Sequence, residues 1–143
     1  MYLALAQFAL GDSLAAAREW ADGLALSLAV GNVRGAAGSI EGCGYLQCHA
    51  GEWTAAARLL AAARRIREQT EVPIFNFWRP HQERALDVLR TRLTTADFAA
   101  ATQAGLDLRV EDAANEARST LYQLAGNPER RQAQRAINRS AGS

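Results

Sequence analysis

Two histidines, His49 and His81, two cysteines, Cys43 and Cys48, and no lysine set the limits of this chain's chemistry, because all 16 members of its Lys+Arg class are arginine. Without lysine there is no P-loop side chain for a nucleotide's phosphates. Nor is there an amine to form a Schiff base with pyridoxal phosphate or a sugar ketone. A serine or cysteine nucleophile needs a base nearby, and the adjacent pair Cys48 and His49 points to different faces of any helix that carries it. Cys43, Cys48, His49 and His81 also lack the paired ligand spacing of a zinc site. No catalytic residue, metal or cofactor is expected.

One stripe has chemical character. Glu41, Tyr45 and His49 recur at i, i+4 and i+8, which places a carboxylate, a phenol and an imidazole along one line of a helix. Along a groove they would hold a peptide or small ligand by hydrogen bonds, and Trp78, Arg79 and Gln82 would line that groove one hairpin later. The plainer alternative is a solvated face, with Trp78 closing the core. Arg64, Arg65 and Arg67 and the arginines of the carboxy-terminal segment are the candidates for phosphate contact. Nearby Glu68 and Glu71, and the lack of interleaved aromatics, favour a solvated helix face instead.

The elements that must carry these residues are helical. Alanine occurs 31 times in 143 residues, far above ordinary usage and strongly helix-favouring. Turn signals recur every 20 residues at Gly11-Asp12, Gly31-Asn32 and Gly51-Glu52, each followed by a run of small residues. A glycine past one helix and a polar residue opening the next is the punctuation of helix hairpins. Leu14, Ala17, Ala21, Leu24 and Leu28 share one face, as do Trp53, Ala56, Leu59, Leu60, Ala63 and Ile66. Arg58 and Arg65 project opposite the second set, and Arg64 is placed to pair with Glu68.

From Thr70 to Trp78, Pro73 and the apolar residues Ile74, Phe75, Phe77 and Trp78 predict a longer, partly buried connection. Pro80 suits the first turn of the next helix, with Leu86, Leu89 and Leu93 on one stripe. Thr94 and Asp97 resemble a capping box opening a short helix that Gly105 ends. A last helix turns Val110, Ala114, Ala117, Leu121 and Leu124 inward. The expected fold is all-α, stacked helical hairpins with about seven helices over residues 1–126. Residues 127–143 form a polar, arginine-bearing tail, disordered or loosely helical.

Net charge is +1, which gives no bias toward nucleic acid or membranes. Two cysteines five apart cannot build a disulfide framework. The start lacks the positive flank of a signal peptide. These features suit reduced cysteines in a cytoplasmic protein.

The segment from Ile40 to Ala63 resembles the tetratricopeptide pattern, with Ile40, Cys43-Gly44, Ala56, Leu60 and Ala63 in its places. It departs from that pattern at Gln47, where an aromatic is usual, and in its longer helices. The stretch from Ala57 to Leu124 resembles the carboxy-terminal helical-repeat region of bacterial predicted signalling ATPases and LuxR-type (MalT-like) regulators. It does so through Ala57-Arg58-Leu59-Leu60-Ala61-Ala62-Ala63, Arg67-Glu68, Glu83-Arg84-Ala85, Asp97-Phe98-Ala99-Ala100-Ala101, Gly105-Leu106 and Val110-Glu111-Asp112-Ala113. The resemblance implies a non-catalytic scaffold or sensing module, partnered by a protein or by adjoining regulator modules, or by a small ligand or peptide. Two other classes stand beside it: a free-standing interaction protein that forms homo-oligomers through helical faces, and, less favoured, an arginine-based nucleic-acid-binding domain.

Overall fold

The computed structural model describes residues 2–71, 73, 76–126 and 128–142, and among them there are helices and no strand. The elements are α1 (Tyr2–Ala9), α2 (Ser13–Ala29), α3 (Val33–His49), α4 (Trp53–Thr70), α5 (Arg79–Arg92), α6 (Thr95–Asp107), α7 (Val110–Ala125) and α8 (Pro128–Ala141). Among the described residues there are eight helices rather than about seven, because the arginine-bearing tail is itself helical and touches α2. Ile74 and Phe75, expected in the connection before α5, lie outside the described residues.

The first three turns are one device used three times. Gly11, Gly31 and Gly51 all take positive φ, which glycine adopts without the Cβ penalty. The residue after each glycine donates its N–H to the carbonyl five residues back: Asp12 to Gln7, Asn32 to Ser27 and Glu52 to Gln47. This closes each helix by the Schellman pattern. Asp12 and Asn32 then accept from Ala15 N and Gly35 N at 3.0 Å and open the next helix. The result is a meander of antiparallel helices, α1 on α2, α2 on α3 and α3 on α4.

The later helices do not extend this row; they fold back over it. Helix α6 lies on α4, α7 crosses α2, α3 and α4, and α5 reaches α3. Consequently α3 is buried without a break from Ala36 to Cys48. A helix enclosed on every side needs close neighbours, and its glycines supply the room. A Cβ at Gly42 would overlap the indole of Trp20, and one at Gly44 would come within 2.8 Å of the Leu60 side chain. Glycine costs a helix interior about 1 kcal/mol relative to alanine, and here the close approach of α2 and α4 offsets it.

Four expectations need correction. Leu14 and Leu28 are exposed, whereas Ala16 and Trp20 belong to the buried face of α2, so the inward arc is rotated toward Trp20. Leu124 is likewise exposed and Ala125 is buried in α7. Arg58 does not project into solvent but forms an ion pair with Glu116 of α7. Finally, Gly105 does not end a helix. It is buried inside α6 at the closest approach to α4, where a Cβ would overlap the Arg58 carbonyl oxygen and lie 2.9 Å from Ala61 Cβ. The Thr94 cap is present as expected, accepting from Asp97 N at 3.0 Å.

The Gly105 contact decides between two opposed effects. Alanine gains about 1 kcal/mol in helix propensity, while forced overpacking costs about 1–3 kcal/mol. The obstacle is a backbone carbonyl that no rotamer change can move, which puts the cost at the upper end of that range, so Gly105→Ala should lower stability by about 2 kcal/mol. Urea denaturation measures it, and a stabilised variant would mean that α4 and α6 are not held this close.

Candidate functional site

Glu41 sits at the middle of the enclosed helix and is 1% exposed. A buried carboxylate must be paired or neutralised. Two neighbours act on it. Tyr45, one turn on, donates its hydroxyl to Glu41 Oε1 at 2.6 Å, and the guanidinium of Arg67 from α4 forms an ion pair with Oε2. Arg67 also lies over the Trp78 ring, 6.0 Å from its centroid, and Trp78 is 6.0 Å from the Tyr45 ring. Burial pulls the Arg67 pKa down to about 10, which still leaves it charged at neutral pH. This cluster joins α3, α4 and the entry to α5.

The outward face of Tyr45 forms the floor of a cleft of about 270 Å³ between α1, α3 and α5, lined also by Phe8, Cys48, His49, His81, Arg84, Ala85 and Val88. Phe8 is its hub. The ring stacks on Tyr45 at 6.1 Å and meets His49 and His81 edge-on at 6.1 and 6.5 Å. Among the described residues, no carboxylate lines the cleft.

Burial acts on its thiol and its phenol. Burial raises the Cys48 thiol above its ordinary pKa, and its Sγ points at the Ala85 carbonyl 3.9 Å away. Cys43, on the other side of α3, donates toward Ala117 O at 3.8 Å. Burial, with the Glu116 charge adding to it, pushes that thiol up to about 12. Tyr45 is also raised by burial. Thiols held protonated are poor nucleophiles. Among the described residues, no three His, Cys, Asp or Glu side chains converge as metal ligands, and no helix is long and apolar enough to cross a membrane.

The expected site residues are thus only partly brought together. Tyr45 and His49 border the cleft, with His49 exposed at its rim. Glu41 faces inward to Arg67 rather than onto a groove, because α3 is covered by its neighbours at that turn. Trp78 is buried behind Tyr45, so it closes the core. Arg79 is exposed and does not line the cleft. Gln82 borders a different cavity of about 60 Å³ between α4, α5 and α6, with Phe98 and Thr102.

Phe8, Arg84, Ala85 and Val88 line the cleft without any sequence signal that places them there, and His81 joins them although its spacing marks no site. Nothing local in the sequence signals that α1 and α5 meet across α3. Nor are the arginines of α4 one solvated face. Arg64 is exposed and 3.8 Å from Glu68, Arg65 donates to the Leu108 carbonyl, and Arg67 is inside. The chain matches no protein-family model, and no curated protein or solved structure matches it either.

Two measurements probe this arrangement. Glu41→Met leaves the Arg67 guanidinium buried and unpaired, which should cost about 3–5 kcal/mol. Adding Arg67→Met should recover part of that loss, because an apolar pair of similar volume is tolerated; no recovery in denaturation would show that the pair is not its source.

The second concerns His81, whose pKa is lowered by burial and then by the neighbouring Arg84 charge. The folded state therefore takes up this proton less readily than the unfolded chain. The stability linked to neutral His81 is full above the unfolded value of about 6.5 and drains away as pH falls toward the lowered folded pKa. His81→Gln should lose less thermal stability than wild type between about pH 7 and 5.5. Equal slopes would place the acid sensitivity elsewhere.

Proposed function

We propose that this chain is a non-catalytic, tetratricopeptide-like binding module of a bacterial transcriptional or signalling regulator, acting in the cytoplasm and receiving a ligand in the α1–α3–α5 cleft. The observation that carries the reading is the join between cleft and core. The cleft's floor, Tyr45, is hydrogen-bonded to Glu41, and Glu41 is paired with Arg67 of α4. A ligand that displaces the Tyr45 ring therefore acts, through Glu41, on α4, a helix that it does not touch. Such a contact can bias an equilibrium between two packings, provided the ligand favours one of them.

Three features support a binding role over chemistry. The thiols are held protonated, the cleft is lined mostly by apolar surface, and its few polar groups stand at the rim, as in small-molecule sites. The resemblance to the helical-repeat region of LuxR-type regulators supplies the setting, with any nucleotide chemistry belonging to a module that has the lysine missing here. Arg58, Arg65 and Arg67 are occupied by protein groups, which leaves fewer arginines for a nucleic-acid surface.

A second reading, association of copies through the first hairpin, draws on the exposure of Leu3, Leu26 and Val30. If copies associate there, Leu26→Glu lowers the mass measured by sedimentation. An unchanged mass removes that face from the interface.

The test of the main reading is a screen of small fragments of all charge classes by amide chemical shift. Shifts should gather at Phe8, His49, His81 and Arg84 and extend to α4 through Arg67. A protein whose cleft amides respond to no fragment is not a binding module of this kind.

A further inference from the structure

The cleft's chemistry names a ligand class. Its interior is apolar, with Phe8, Tyr45, Ala85 and Val88 offering ring faces and methyl groups. The Tyr45 hydroxyl and Cys48 thiol are turned to protein oxygens, which leaves His49, His81 and Arg84 as its polar groups, all nitrogen donors or potential donors, and among the described residues no Asp or Glu lines it.

Arg84 stands out among them. It is exposed at the rim, and among the described residues it takes no hydrogen bond or ion pair. The acid one turn further along α5, Asp87, is instead 3.7 Å from Arg90. The other cations around the core are engaged: Arg67 by Glu41, Arg58 by Glu116 and Arg65 by the Leu108 carbonyl. A guanidinium left without a partner at the mouth of an apolar cleft is positioned for a charge-assisted, two-pronged contact with a carboxylate.

Size and sign narrow the choice. A volume of about 270 Å³ lies at the small end of ligand sites, enough for one ring and a short chain and too little for a folded peptide. A cation would meet Arg84 with no acid to offset it. A neutral ring would bind without using Arg84.

We infer that the α1–α3–α5 cleft binds a small apolar carboxylate of single-ring size, its ring against Phe8 and Tyr45 and its carboxylate on Arg84. The inference rests on the binding-module reading above and specifies its ligand. His81, kept neutral beside Arg84, is placed to donate one further hydrogen bond to the same carboxylate.

The experiment compares three probes of one shape: 3-phenylpropanoate, 3-phenylpropanamide and 3-phenylpropylamine. Each is titrated at neutral pH while the backbone amides of Phe8, His81 and Arg84 are followed. The acid should bind at least tenfold more tightly than the amide or the amine. Arg84→Gln, a change at an exposed position, should bring the acid to within about twofold of the amide. Equal affinity of acid and amide, or an acid preference that survives Arg84→Gln, overturns the inference. In either case, continued shifts from the amide keep the binding-module reading intact. If none of the three probes moves the cleft amides, the inference and that reading fail together.

Discussion

A carboxylate on a helix that has no solvent face must find its counter-charge inside the protein. That requirement organises this molecule. Helix α3 is surrounded by α2, α4, α5 and α7, so Glu41 cannot reach water, and Arg67 must come in from α4 to meet it. Bringing in a guanidinium removes its hydration in turn, and the Trp78 ring covers its face. Tyr45 satisfies the second carboxylate oxygen and leaves its ring for the cleft. The ion pair contributes little net stability compared with an apolar replacement, but it fixes where α4 and the start of α5 must lie.

The small residues serve the same enclosure. Gly42, Gly44 and Gly105 each stand where a neighbouring helix comes close, and Ala113, Ala114 and Ala117 give α7 a face slim enough to cross the row. Two further links close the bundle at its edges: Arg58 to Glu116 and Arg34 to the Thr70 carbonyl at 3.0 Å. The cleft is the place where this closure stays incomplete. Helices α1 and α5 flank α3 there without filling the space between them, and Phe8 bridges part of the gap.

Legibility varied with the range of the interaction involved. The turns at Gly11, Gly31 and Gly51 were readable because each depends on one glycine and its immediate neighbours. The Thr94 cap and the Arg64–Glu68 spacing were readable for the same reason. Gly105 was misread because a helix-ending glycine and a helix-crossing glycine look alike in sequence. The faces of α2 and α7 were read within one residue of the truth, since Leu and Ala both fit an apolar arc. Of the expected site, Tyr45 and His49 fell where a groove exists. Glu41 did not, because its register assumed an open row.

Composition and local pattern alone determined that the chain is helical, where most helices begin and end, and that its lysine-free surface excludes certain chemistry. These follow from backbone propensity, capping and residue identity, which act over a few positions. The tertiary structure alone decided which side of α3 is inside, that Arg34, Arg58, Arg65 and Arg67 turn toward protein groups far away in the chain, and that α1 and α5 form a cleft. Those outcomes depend on α6 and α7 folding back across helices far earlier in the chain. Periodicity records how apolar a face is, and it carries no record of which distant helix will cover it.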